Sequence, residues 1–313
     1  HKQQCGAPTT ASTMQSLLPS LPMPKITPPD PYINPSVELV GDPANVQANR
    51  SMVAKKDLAK GEVVLAAKLL VYVLDDEATA LRCNACYKLC EKKAMSCKAC
   101  RRFRLCKECE GKPISQLHSV ECKKFMAIDA EQRGGVMQRF FARYLAMVQE
   151  GWLKPNAFSS LCTNEHLEPP ISKQQCVEAV DDLLQHFELP AGVDRDAMII
   201  FARHIRYNAF NLPTFDHISG GGKALSIQPS FFNHSCIPNC MYEDCTSCDN
   251  YMVIKAQRAI SAGEDLSISY LSVDRLAAMV GKQRQQHLGA EYMFLCQCPK
   301  CKGEAGIRMQ VQE

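Results

Sequence analysis

Asn233-His234-Ser235-Cys236-Ile237-Pro238-Asn239-Cys240 is the stretch on which the reading of this chain turns. Downstream come Gly263-Glu264-Asp265-Leu266-Ser267-Ile268-Ser269-Tyr270 and then Tyr292-Met293-Phe294-Leu295-Cys296-Gln297-Cys298-Pro299-Lys300-Cys301. Taken singly, each string reads as a turn or a strand; together and in this order they carry information. Cys296, Cys298 and Cys301 offer three thiolates, and a tetrahedral structural zinc needs a fourth ligand. Cys236 is the economical candidate. A zinc held there would tie the C-terminal segment beside Asn233 and His234.

Working outward, cysteine is the outlying residue, with 18 in 313. The first residues are polar, no apolar leader is present, and no run approaches membrane-spanning length. Reduced, metal-bound thiols fit better than a secreted disulfide scaffold. Eight of the cysteines lie between Cys83 and Cys122. Their spacing is Cys83-x2-Cys86, Cys97-x2-Cys100, Cys106-x2-Cys109 and His118-x3-Cys122, with Cys90 left over. Eight ligands suffice for two tetrahedral zinc ions. A cross-braced pairing would join Cys83, Cys86, Cys106 and Cys109 at one ion, and Cys97, Cys100, His118 and Cys122 at the other. A module this small buries little apolar surface, so metal must supply most of its folding free energy.

The net charge of +3 is too small to imply a bulk polyanion partner. The module from Arg82 to Lys124 is basic, with 12 Lys+Arg against 4 Asp+Glu. Zinc-bound thiolates leave about +5 of that formal +8, enough to meet nucleic acid or an acidic protein surface, or simply to face solvent.

Seven prolines between Pro19 and Pro35 exclude helix from residues 1–36, which read as an extended arm. Residues 37–73 alternate as strands around the turn Lys60-Gly61-Glu62. Helical periodicity marks 134–150, 173–188, 194–207 (behind the cap candidate Asp194) and 273–288. Short strand-like runs occupy 224–232, 251–259 and 265–271. Gly220-Gly221-Gly222 reads as a flexible loop. Cys245-x2-Cys248 reads as a surface loop, or as a further metal site with Cys240, the loop being favoured. The architecture expected is α+β, with the helices in a central block.

The zinc module resembles the MYND finger. Asn233–Cys236, Gly263–Tyr270 and Cys296–Cys301 resemble the signature motifs of the SET domain and its post-SET cysteines, and Asn49-Arg50-Ser51-Met52 resembles its opening turn. A finger inserted after the first SET strands is the order of the SET-and-MYND (SMYD) family of protein lysine methyltransferases. The resemblance covers residues 40 to 303. It implies a SET-domain β-fold of short strands, interrupted by a MYND zinc finger and a helical block and followed by a cysteine-rich post-SET segment. The expected parts are an arm at 1–36, the N-terminal part of SET at 37–80, the finger at 81–124, a helical insert at 125–200, the core SET at 201–272, post-SET at 273–305 and a tail at 306–313.

By that resemblance the cofactors are S-adenosylmethionine and three structural zinc ions. Arg50, Ser51 and Met52 would pass the methionine end, and Asn208 would bond its polar groups. Ser230, Asn233 and His234 would contact the adenosine part, with Phe294 against the adenine. Tyr270 would be the active-site tyrosine, and Tyr292 would line the lysine channel. The chemistry suits these side chains. Methyl transfer is an in-line displacement governed by positioning, and an aromatic channel lowers a lysine pKa from its usual ~10.4 by desolvation. The expected partner is a protein bearing a target lysine, with no membrane, in the nucleus or cytoplasm. The alternative is a SET-MYND adaptor with little catalysis, binding proline-rich partners through the finger.

Overall fold

The computed structural model describes residues 31–41, 50–90, 94–128, 135–212, 221–245 and 251–303. Residues 1–30 of the arm, Asn49, Gly220, Cys248 and the tail at 306–313 lie outside the described residues.

The first half holds β1 (Tyr32–Ile33), β2 (Val37–Val40), β3 (Ser51–Ala54), β4 (Val63–Lys68), β5 (Val71–Leu74) and α1 (Asp76–Leu81). The finger contributes a small hairpin, β6 (Met95–Ser96) with β7 (Arg104–Leu105), and then α2 (Pro113–Met126). The helical block is α3 (Val136–Gln149), α4 (Pro170–Leu184) and α5 (Arg195–Asn208). After it come β8 (Phe210–Leu212), β9 (Gly222–Leu225), β10 (Asn233–His234), β11 (Cys240–Cys245), β12 (Tyr251–Ala256) and β13 (Asp265–Ile268). The last helices are α6 (Val273–Ala278) and α7 (Gly281–Tyr292).

Three sheets build the body, in the orders β1-β4-β12-β11, β10-β13-β3-β2 and β5-β9-β8. Strand β4 is buried from Val63 to Ala67, the apolar run of a strand covered on both faces. Each sheet joins strands from before the finger to strands from after the helical block. Finger and helices are thus insertions, and the sheets close behind them. Strand β10 pairs in parallel with β13, setting Asn233 beside Ser267 and His234 beside Ile268. That one pairing brings the two motifs, far apart in sequence, to a single sheet edge.

The last residues of the expected arm join the sheet. Tyr32 and Ile33 pair with β4, Tyr32 packs on Val63, Ala66 and Val253, and buried Asn34 donates to the Val63 carbonyl at 2.9 Å. Helix α4 begins at Pro170, three residues before the periodicity, because proline's fixed φ suits the first helical turn. The glycine loop is partly strand. Gly222 pairs with Leu74, and a Cβ there would overlap the Val73 carbonyl, so glycine is required by close approach. The run at 224–232 is strand only to Leu225. Gln228–Phe231 forms a 3₁₀ turn around Pro229, which has no N–H to give a sheet. The helix expected at 273–288 is two, separated by extended Met279 and Val280. Asp194 does cap α5, accepting the Ala197 N–H at 2.8 Å.

Candidate active site and metal centres

Among the described residues three groups of ligand atoms converge, each within 4.8 Å: Cys83, Cys86, Cys106 and Cys109; Cys97, Cys100, His118 and Cys122; and Cys236, Cys296, Cys298 and Cys301. Cys90 joins none of them. Sulfur separations of 3.7 Å (Cys86–Cys106), 3.6 Å (Cys97–Cys122) and 3.6 Å (Cys236–Cys301) match the edge of a tetrahedron, which is about 3.8 Å for ~2.3 Å zinc–sulfur bonds. Local backbone prepares the first two groups. Tyr87 and Arg101, each just after a Cys-x2-Cys pair, take positive φ values of 61° and 55° and fold the knuckle over its thiols. Backbone N–H groups of Ala85 and Arg102 donate to Cys83 and Cys100 sulfur at 3.4 Å. Burial pushes the Cys100 thiol up to about 12 and the Cys296 thiol up to about 11. A cation placed among the sulfurs would favour their thiolate forms. The donor sets fit three structural zinc ions.

Beside the third group lies a cavity of about 790 Å³ whose walls include Arg50, Asn208, Asn233, Tyr270, Tyr292 and Cys296. Tyr270, just past β13, is its hub. Its hydroxyl donates to the Phe232 carbonyl at 2.9 Å, and its ring lies 5.0 Å from Tyr292, 5.3 Å from His234 and 6.2 Å from Phe294 between centroids. Burial pushes the Tyr270 phenol well above its ordinary range, so it stays neutral. Helix α7 ends on Tyr292, where Met293 takes a left-handed φ of 61° and reverses the chain. The reversal lets Tyr292 and Phe294 both reach Tyr270.

Of the other expected cofactor residues, Ser51 and Ser230 line the cavity, the latter with its hydroxyl bonded to the Ser226 carbonyl at 2.8 Å. Asn233 donates to the Arg50 carbonyl at 2.8 Å, joining the two motifs across one wall. Arg50 itself stacks 4.9 Å over Phe231 and donates to the Ser160 carbonyl at 2.6 Å. Asn208 is on the wall, but its amide donates to the Cys162 and His204 carbonyls at 2.8 and 3.1 Å. Its donors brace the loop after α3 instead of facing the cavity. Met52 does not line the cavity. Alternation along β3 sends Ser51 to the cavity and Met52, 3% exposed, into the main core.

Tyr242 and Cys162 are among the cavity residues that the sequence reading does not single out. Tyr242 packs edge-on against Phe210 at 5.4 Å, and its alternation along β11 was a usable signal. Cys162 lies in a loop between helices and carried none. Nor did the Phe232 carbonyl, which any residue would supply. On the finger, an apolar depression of about 570 Å³ is lined by Met95, Phe103, His118, Cys122 and Met126. Among the described residues no helix is long and apolar enough to cross a membrane.

Comparison with known proteins places these features. The family model described as SET domain matches residues 49–271. The chain is 25% identical over 280 residues to histone-lysine N-methyltransferase ASHR1 of Arabidopsis thaliana, covering 82% of this chain and 53% of the relative. It is 26% identical over 281 residues to histone-lysine N-methyltransferase SMYD3 of Mus musculus, covering 82% and 62% respectively. Among solved structures, the SET domain of LSMT bound to lysine and AdoHcy aligns with a TM-score of 0.42 at 14% identity, over 84% of this chain and 52% of that one. The chain therefore spans about half to three-fifths of the length of these curated relatives.

Proposed function

Because the chain belongs to the SET domain family, in its SET-and-MYND branch, we propose that it is an S-adenosylmethionine-dependent methyltransferase acting on lysine side chains of proteins. The observation that carries the reading is the tyrosine-walled cavity: Tyr270 and Tyr292, 5.0 Å apart between rings, beside a wall built from Arg50, Asn233 and His234. S-adenosylmethionine would supply the methyl group as a sulfonium. Arg50, Ser51, Asn233, His234 and Phe294 would hold it. The lysine ammonium first loses a proton to solvent, and the aromatic walls favour the neutral amine by withholding water. The Tyr270 hydroxyl, whose proton is committed to the Phe232 carbonyl, keeps its oxygen lone pairs for an amine N–H. Positioning for in-line attack is then the main contribution of the protein. No group needs to act as a strong base.

On this reading the protein works in the nucleus or cytoplasm, which suits the free thiols found among its described cysteines. Calorimetry with S-adenosylmethionine, followed by labelled methyl transfer to histones and lysate proteins, tests it. Saturable binding and labelled lysine are expected. No binding to zinc-loaded protein turns the assignment to an adaptor, for which the apolar depression on the finger offers a seat for a proline-rich segment.

A further inference from the structure

A thiolate binds zinc from a range of directions, but an imidazole must be aimed. One ring nitrogen has to face the metal with its lone pair, and the proton must sit on the other. Among the three metal groups only the second contains a histidine. His118 presents Nε2 to Cys100 sulfur at 3.5 Å, and its ring stacks on Phe103 with centroids 3.8 Å apart and planes 8° from parallel. Stacking fixes the plane of the ring without choosing which nitrogen faces the metal. The opposite nitrogen, Nδ1, is buried with no hydrogen-bond partner and lies 3.6 Å from Glu121 Oε2, just beyond hydrogen-bond length, one helical turn along α2. Glu121 is 5% exposed. The same carboxylate oxygen accepts Arg143 Nε from α3 at 2.8 Å, and Arg143 Nη1 reaches the Tyr72 carbonyl on β5 at 3.0 Å.

We propose that Glu121 is the positioning residue of the finger's Cys₃His centre. With zinc bound, a closure of a few tenths of an ångström lets its carboxylate accept the Nδ1 proton of His118 and so turn the Nε2 lone pair to the metal, while Arg143 holds that carboxylate from the helical block. A chain of contacts thereby runs from the finger's metal to Tyr72 in the body. The plainer alternative is that Glu121 and Arg143 are only a buried ion pair between α2 and α3. The two accounts differ in whether the imidazole matters.

The test uses the full chain loaded with zinc, a competing chromogenic chelator and the variants Glu121→Gln and His118→Cys. In Glu121→Gln, one of three zinc equivalents should be lost about 10- to 100-fold more readily, the usual effect of removing such an outer partner, while the two all-thiolate sites keep theirs. With His118→Cys the second site no longer needs aiming, so adding Glu121→Gln should change zinc retention no further. Unchanged release in Glu121→Gln, or an equal loss in the His118→Cys background, would overturn the proposal. If Glu121→Gln alone fails to fold, the pair Glu121→Gln with Arg143→Gln leaves no unpaired buried charge. It should still show the selective loss, and its retaining all three equivalents like the wild type would count equally against the idea.

Discussion

The imidazole of His234 accepts the backbone N–H of Tyr270 through Nδ1 at 2.9 Å. Its other nitrogen, Nε2, lies 3.3 Å from Cys236 sulfur. With Nδ1 accepting, the neutral ring carries its proton on Nε2, directed at a ligand of the third metal group. One side chain therefore couples that group to the backbone of the cavity's central tyrosine.

From this coupling, His234→Ala should both loosen the third zinc and lower methyl transfer by about 10-fold or more. His234→Asn, whose side-chain oxygen can accept the Tyr270 N–H, should retain more of both. Chelator release and labelled transfer are the readouts. Wild-type behaviour of His234→Ala in both would show the bridge to be incidental.

Tyr270→Phe removes the hydroxyl and leaves the Phe232 carbonyl without its 2.9 Å donor. A stability loss of about 1–2 kcal/mol is expected from that orphaned acceptor. Transfer should fall far more, on the order of 100-fold, if the hydroxyl positions the amine. Denaturant titration and initial rates separate the two effects. Unchanged rates would remove Tyr270 from the proposed role.

Arg203 and Glu168 form a buried pair at 3.0 Å, and Tyr207, on the cavity wall, donates to the same carboxylate at 2.6 Å. Arg203→Met leaves that charge buried without its cation, so a loss of about 3–5 kcal/mol is expected. Replacing both members by Met should restore much of it. Chemical denaturation of the single and double variants checks the order, and equal losses in both would contradict it.

Burial pushes His204 down to about 4 from an unfolded value near 6.5, against a smaller raising effect from its contact with the Leu161 backbone. The folded state therefore favours the neutral ring. Its contribution is fully present above about pH 6.5 and is lost as pH falls toward 4, because the unfolded chain takes up the proton first. The loss is on the order of 3 kcal/mol at most. His204→Phe should flatten the stability curve between those limits in pH-dependent melting. An identical slope in variant and wild type would exclude His204 as the source.

Much of this molecule was legible from local spacing. Three Cys-x2-Cys pairs and His118-x3-Cys122 within forty residues mark metal knuckles, since two intervening residues let both thiolates turn onto one ion and the His-x3-Cys spacing is one turn of helix. The α3 stripe and the Asp194 cap were readable for the same reason: their partners lie within four residues. The arm's end was not readable, because Tyr32 is a strand only while β4 offers it an edge.

By itself, then, the sequence determined the ligands, the motifs and their order, all of which depend on residue type and short separations. Only the tertiary structure decided which way each side chain faces. Met52 and Ser51 are neighbours in one motif, yet strand alternation and the packing of β3 between β2 and β13 send one to the core and the other to the cavity. Asn208 was found with its amide turned to the Cys162 loop, 46 residues away. The bridge from Cys236 through His234 to Tyr270 exists only because β10 pairs with β13. Such contacts depend on long-range packing, which no local pattern encodes.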